Sequence, residues 1–359
     1  MNSIFKNLKV IELANVLAGP AAGIFFAELG ATVIKIENKS TNGDVTRSWK
    51  LPSENPKADS SAYFASVNWN KKSLFLDLKK ESDKAVVLDL IKDADIVISN
   101  YKKGDDVKLG MDYRTLKAIN PGLLYAHLSG FGEDSSRIAF DIVLQAETGF
   151  MFMNGTSESG PIKMPVALID ILAAHQLKEG ILIAMINKMK TGKGSKVSVS
   201  LYDSAVTSLA NQATNWLMGK EDPQPMGSLH PNIAPYGELF STADDKLIVL
   251  AIGNDKQFEQ LCLILKNESL LKNEKFHTNT ARVKNRKELF EIIKPLIQQI
   301  NCESLMNQFY KKDVPAGVIK SVKEVFVGAN AKKLILKEST IKGEHTERVS
   351  SIAFKISTT

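Results

Sequence analysis

The sequence predicts an α/β fold with a parallel sheet, on two observations. LKVIELA (residues 8–14) and ATVIKIE (31–37) are short β-branched, apolar runs, and AAGIFFAELG between them reads as a helix ending at Gly30. Strand, helix and strand within about 30 residues make a βαβ unit, with parallel strands and a right-handed crossover. The pattern then continues. KSLFLDL reads as a strand, SDKAVVLDLIKDA as a helix, DIVISN as a strand, YRTLKAIN as a helix stopped by Pro121, and LLYAHLSG as a strand, a doubly wound arrangement. A long helical pattern follows in PVALIDILAAHQLKEGILIAMINKMKTGKG (165–194), and SKVSVS feeds one more helix.

EDPQPMGSLHPNIAPYG, rich in Pro and Gly, is the expected inter-domain linker. Beyond it ELFSTADDKLIVLAIGN reads as a β-hairpin turning at Asp244 and Asp245, and DKQFEQLCLILK as an amphipathic helix. Helices around 282–299 and 302–312, the strand-like AGVIKSV and a final strand-like SIAFKIS complete the pattern. The expected organisation is a large domain over 1–218, a linker over 219–236, a small α+β domain over 237–330, and a C-terminal segment, 331–359, returning toward the large domain.

With 44% hydrophobic and 24% charged residues the chain is composed like an ordinary globular protein. It opens without a basic segment leading into an apolar one and holds no run of about 18 apolar residues, which predicts a cytoplasmic protein off the membrane. The net charge of +6 is scattered over lysines, with Arg47, Arg114, Arg137, Arg282, Arg286 and Arg348 the only arginines. A solvated surface or a small anionic ligand fits that better than nucleic acid. Cys262 and Cys302 lack zinc or disulfide-framework spacing, and the histidines form no HxxxH or HExxH, so no metal site is expected.

The loop NVLAGP lacks GxGxxG, which removes the dinucleotide fingerprint. Loops at the carboxyl ends of parallel strands still border ligand sites, which points to Asn15, Leu17, Gly19 and Pro20. Asp170 precedes the long helical pattern and reads as its N-cap. A carboxylate there is held as an anion by the helix dipole, fixed and available to attack an activated acyl group. His175 falls on a different helix face and makes no relay with it. GxSxG is absent, and GKGSK lacks the upstream glycine of a P-loop.

LKVIELANVLAGPAAGIFFAELGATVIKIE, NGDVTR, NKKSLFLDLK, ADIVISNYKKGDDVKLGMDYRTLKAINPGLLYAHLSGFG, FDIVLQAETGF, the 165–194 stretch, KTGKGSKVSVSLYDSAV, HPNIAPYG and VPAGVIKSVKEVF resemble, in order, the class III coenzyme A-transferases, the CaiB/BaiF family, over about residues 8–330. The resemblance implies a Rossmann-like large domain, a small domain and two subunits interlocked as a homodimer. It implies that Asp170 is the nucleophile, forming first a mixed anhydride and then an enzyme–CoA thioester, with acyl-CoA and a carboxylic acid as substrates and no permanently bound cofactor. By the same carry-over Asn38, Lys39, Lys79, Asn100, Tyr101, Lys108 and Leu109 line the CoA path, and Val16, Leu17, Phe140 and Asp141 face the acyl end.

Two alternatives stay open on these residues. The related α-methylacyl-CoA racemases share the fold and the aspartate, but carry a His-Asp pair where this chain has Phe140-Asp141, and phenylalanine cannot move a proton. A CoA-binding protein without turnover is the other. Leu17 stands where formyl-CoA transferases carry glutamine, and only Gly227 represents their glycine-rich loop, which disfavours formyl-CoA/oxalate specificity. The chain also ends at FKISTT, soon after the small domain, nearer to racemase length.

Overall fold

The computed structural model describes residues 4–339 and 343–357. The chain is mixed α/β with a parallel sheet of six strands: β1 (Lys9–Leu13), β2 (Thr32–Asn38), β3 (Lys71–Leu76), β4 (Ile96–Ser99), β5 (Leu124–Ser129) and β6 (Ser195–Ser200). Their order is β3-β2-β1-β4-β5-β6, every neighbouring pair parallel. The helices that matter for the site are α1 (Ala18–Glu28), α2 (Ala62–Asn68), α3 (Glu81–Lys92), α4 (Tyr113–Ile119), α5 (Asp141–Glu147), α6 (Leu168–Thr191) and α7 (Leu201–Thr207).

Alternation along the strands builds a core on each face of the sheet. Val10, Val33, Ile96, Ile98, Leu124 and Ala126 pack with α1, α6 and α7, while Ile11, Leu13, Val97 and Tyr125 pack with Val87 and Ile91 of α3 and Leu116 of α4. Burial on both faces is why these strands read as near-continuous apolar runs. Helix α6 buries Ile169, Ala173, Leu177, Ile181 and Ala184, a stripe at helical spacing, and ends at Gly192 with φ +70°. At Gly180 an added Cβ would come within 2.6 Å of Val197, so this helix lies against β6 closer than any larger residue allows. Helices α2 and α5 span seven residues each, too short for a legible period, and are not anticipated in the sequence.

The chain divides into two compact units: residues 1–151, 163–223 and 333–359, and residues 152–162 and 224–332. The second has a three-stranded antiparallel sheet of β7 (Tyr236–Ser241), β8 (Leu247–Ala251) and β9 (Ala316–Val318), with β8 central. The β7–β8 turn falls at the expected pair, Asp245 taking φ +57°. Helices over Asp255–Ile264, Arg286–Ile297 and Cys302–Lys311 bury Phe258, Leu261, Leu289, Ile293, Leu305 and Phe309 against Phe240, Ile248 and Leu250. Arg282 is fully buried and donates to the carbonyls of Ala234 and Phe276 and to Asp255. Residues 152–162 belong here because the Gly227 N–H donates to the Gly155 carbonyl at 2.6 Å.

The final strand is displaced from its expected place. SIAFKIS forms none, and the strand is His345–Val349, antiparallel to Ile335–Ser339 within the first unit. Its charges hold it: Lys337 pairs across the ladder with Glu347 at 2.6 Å, and Arg348 reaches the buried Glu28 of α1. Glu28 also accepts from Ser350 Oγ at 2.6 Å and the Ser351 N–H at 3.0 Å. Among the described residues no helix is long and apolar enough to cross a membrane.

Candidate active site

The β1–α1 turn is held in a conformation its residues would not choose. Val16 has φ +71°, strained for a β-branched side chain. Two side chains from other loops hold it there. Asn100, just past β4, accepts from the Asn15 N–H at 3.1 Å and donates to the Asn15 carbonyl at 2.9 Å, while Asp44 accepts from the Val16 N–H at 3.1 Å.

Asp44 belongs to a buried charge network. Lys35 Nζ lies 3.1 Å from Glu12 and 3.1 Å from Asp44 and donates to the Ala14 carbonyl at 2.6 Å; Lys71 bonds the other Glu12 oxygen at 2.7 Å. Burial alone would lower the Lys35 ammonium, yet Glu12, Asp44 and Glu37 raise it above its ordinary value. Lys71, facing Glu12 alone at close range, is pulled down by burial to about 8. Glu37 accepts both Arg47 Nε at 2.7 Å and Nη2 at 2.6 Å, a bidentate pair whose guanidinium lies over Phe64. An added Cβ at Gly23 would sit 1.9 Å from Glu12 Oε2, so α1 covers this network only because Gly23 has none.

Asp170 is not the N-cap. The cap position is Ala167, and Asp170 stands two residues further in than the first helical residue, Leu168, on the buried stripe with Ala173, Ala174 and Leu177. Asp141 supplies the missing cap, accepting the Ile169 N–H at 2.7 Å. Nor does the helix dipole hold Asp170 as a low-pKa anion. Burial, and then the charge of Asp141, push it up to about 7, and no hydrogen bond opposes them. Near neutral pH the carboxylate is thus part-ionised, poorly solvated and more basic than an ordinary aspartate. Tyr63 of α2 is close enough for its phenol to be pushed up to about 12, by burial first and then by Asp170, Asp141 and Asp44.

Asp170 opens on a pocket of about 320 Å³ at the carboxyl ends of β1, β4, β5 and β6, which it shares with Val16, Leu17, Asn100, Tyr101 and Phe140. A larger cleft of about 2040 Å³, sharing Asn15 with the pocket, is lined by Asn38, Lys39, Arg47, Lys50, Lys72 and Phe75, among others. Lys79, Lys108, Leu109 and Asp141 line neither; Lys108 pairs with Asp105 at 3.0 Å and Leu109 packs on the core under α3 and α4. Asn100 is occupied in shaping the β1–α1 turn.

Two pocket residues were not singled out for this site by the sequence. His127, at the end of β5, is buried with Nδ1 unpartnered, and burial lowers it below the usual histidine value. Arg137 stacks on Phe131 at 3.9 Å and pairs with Glu147 at 2.6 Å. His127 was legible from its place at the end of a parallel strand; Arg137 follows an irregular loop, and no local signal marks it. Among the described residues no group of three or more His, Cys, Asp or Glu is placed to hold a metal ion.

The family model for CoA-transferase family III matches residues 5–359. A succinate–glutarate CoA-transferase of Agrobacterium fabrum is 39% identical over 325 residues, covering 89% of this chain and 80% of that one. The human succinyl-CoA:glutarate CoA-transferase is 34% identical over 331 residues, 91% of this chain and 74% of that one. A crystal structure of a CaiB/BaiF family protein from Brucella suis superposes with a TM-score of 0.84 at 37% identity, covering 99% of this chain and 93% of that one.

Proposed function

The chain belongs to CoA-transferase family III, and from that premise we propose that it moves CoA between short dicarboxylic acids with Asp170 as nucleophile. The carrying observation is the Asp170 carboxylate itself, buried, free of hydrogen bonds and raised to about 7 at the wall of the pocket. An Asp170 oxygen attacks the donor thioester carbonyl, and the C–S bond breaks to release CoA thiolate and leave a mixed anhydride. The thiolate attacks the Asp170 carbonyl of that anhydride, expelling the donor acid and leaving an aspartyl–CoA thioester. The acceptor carboxylate then attacks this thioester, and the released thiolate takes the acceptor acyl group, restoring Asp170. Each step exchanges one activated acyl group for another. Neither proton nor water is consumed, so the dry setting of Asp170 guards both intermediates from hydrolysis.

The dicarboxylate reading rests on the relatives that act on succinate and glutarate and on Arg137, a guanidinium in the same pocket suited to a second carboxylate. Asn38 and Lys39 on the large cleft suit the nucleotide end of CoA, and Tyr101 with Asn100 the approach to the pocket. Lys79, Lys108 and Leu109, outside both cavities, carry no part in this reading. Phe140 at the pocket, where a two-base racemase needs a proton carrier, speaks against α-proton exchange. The strand order supports the Rossmann-like reading of the first unit.

An interlocked homodimer also belongs to this proposal. Ile183, Ile186 and Met189 on α6, and Trp216, Leu217 and Met218 beyond α7, are large apolar side chains left exposed. Light scattering is expected to give the mass of two chains on dilution; the mass of one chain would remove the dimer. The function is tested by following glutaryl-CoA formed from succinyl-CoA and glutarate. Wild type is expected to turn over, Asp170→Asn to lose at least about a thousandfold in kcat, as removal of a covalent nucleophile does. Full activity in Asp170→Asn, or exchange of the α-proton with deuterium in place of transfer, would overturn it.

A further inference from the structure

The reactive carboxylate makes no hydrogen bond of its own, so its place depends on what holds the backbone around it. Two side chains of α5 do so. Asp141 Oδ1 accepts the Ile169 N–H at 2.7 Å, one residue before Asp170, and Asp141 Oδ2 accepts Gln145 Nε2 at 2.6 Å. Gln145, fully buried, in turn accepts the Met164 N–H at 2.8 Å and donates to the Met164 carbonyl at 3.4 Å. Asp141 and Gln145 therefore grip both the approach to α6 and its first turn, a task that Ala167 at the cap position has no side chain to perform.

We propose that Asp141 is a positioning residue for CoA transfer: through the Ile169 N–H and Gln145 it fixes the first turn of α6, with its own negative charge standing near the attacking carboxylate. The inference rests on the reading of Asp170 as nucleophile. Asp141 does not line the pocket, so it acts through Asp170 and not on substrate. What an aspartate adds to the hold on the Ile169 N–H is a negative charge near the group that must attack. Of the titratable groups on elements packed around α6, Asp141 of α5 is the one whose charge shifts Asp170. Tyr63 of α2 feels Asp170 as a neutral phenol, Asp44 acts on Tyr63, and His127 of β5, lowered by burial, lines the same pocket. Burial sets most of the elevation, and Asp141 adds to it.

Two measurements on the full chain test this. The first is the pH profile of kcat/KM for succinyl-CoA and glutarate in wild type, Asp141→Asn and Asp141→Ser. Both variants remove the charge; asparagine keeps an oxygen at the Oδ1 position for the Ile169 N–H, and serine, one bond shorter, does not. The second, independent of turnover, is the pH dependence of carbodiimide labelling of Asp170, read by peptide mass, since the reagent needs the protonated carboxyl.

For wild type the profile should rise, and labelling fall, through an inflection near 7. In both variants both inflections should move down by about one pH unit, as removal of a nearby like charge does. Plateau kcat should drop about tenfold or more, with KM within about twofold, because a less basic carboxylate attacks more slowly. Uniform loss of activity with unmoved inflections would reduce Asp141 to a structural cap and overturn the proposal. Labelling that shifts while wild type shows no transfer would instead sink the transferase reading and leave the hold of Asp141 on Asp170 standing.

Discussion

At the scale of the residue, the role proposed for Asp170 sets activity against stability. Its carboxyl ionises near pH 4 in an unfolded chain and near 7 in the folded one. Between those values the folded state binds the extra proton, so stability from this group is fully present below about pH 4 and is lost as pH rises through 7. Asp170→Asn, near-isosteric and uncharged, should therefore raise the thermal midpoint at pH 8 by an amount reflecting on the order of 2–4 kcal/mol and change little at pH 4, while turnover disappears. A midpoint difference independent of pH would contradict the raised value. The burial of Asp170 was not read from the sequence, which sets it ahead of the helix as a cap, although positions 170, 173, 174, 177 and 181 fall on one helical stripe. Nor was the cap of that helix, because Asp141 lies 28 residues earlier and local pattern made Asp170 itself the better candidate.

At the scale of the element, the first two βα turns are shaped by charges beneath them. The strands and α1 were legible, since LKVIELA and ATVIKIE bury both faces and read as unbroken apolar runs. The network was not, because Glu12, Lys35, Asp44 and Lys71 look in sequence like ordinary polar positions. Its members are buried, so removing one partner leaves the others uncompensated. Glu12→Gln should lower stability by about 3–5 kcal/mol, read in the thermal or denaturant transition of the first unit, and loosen the Val16 turn. An unchanged transition would mean the network contributes little. The final ladder was illegible for the opposite reason: HTERV is polar, and it pairs with Ile335–Ser339 while Arg348 ties it to the buried Glu28 of α1.

At the scale of the whole molecule, the parallel sheet collects the ends of β1, β4, β5 and β6 around one carboxylate, and membership of the family gives the reaction class, CoA transfer, in which we propose that carboxylate acts. Of the residues the strand-end rule pointed to, Asn15 and Leu17 line the pocket, while Gly19 and Pro20, inside the first turns of α1, line neither cavity. The resemblance, which carried over Phe140 and Asp141 together, could not separate the residue that lines the pocket, Phe140, from its neighbour Asp141, which does not. The central claim is that CoA passes through a covalent Asp170 intermediate. The most direct measurement is peptide mass analysis after incubating the chain with succinyl-CoA and quenching in hydroxylamine. A hydroxamate on Asp170, formed only with the thioester and absent when glutarate discharges the enzyme first, is the predicted result; an unmodified Asp170 in a preparation that still turns over would contradict it.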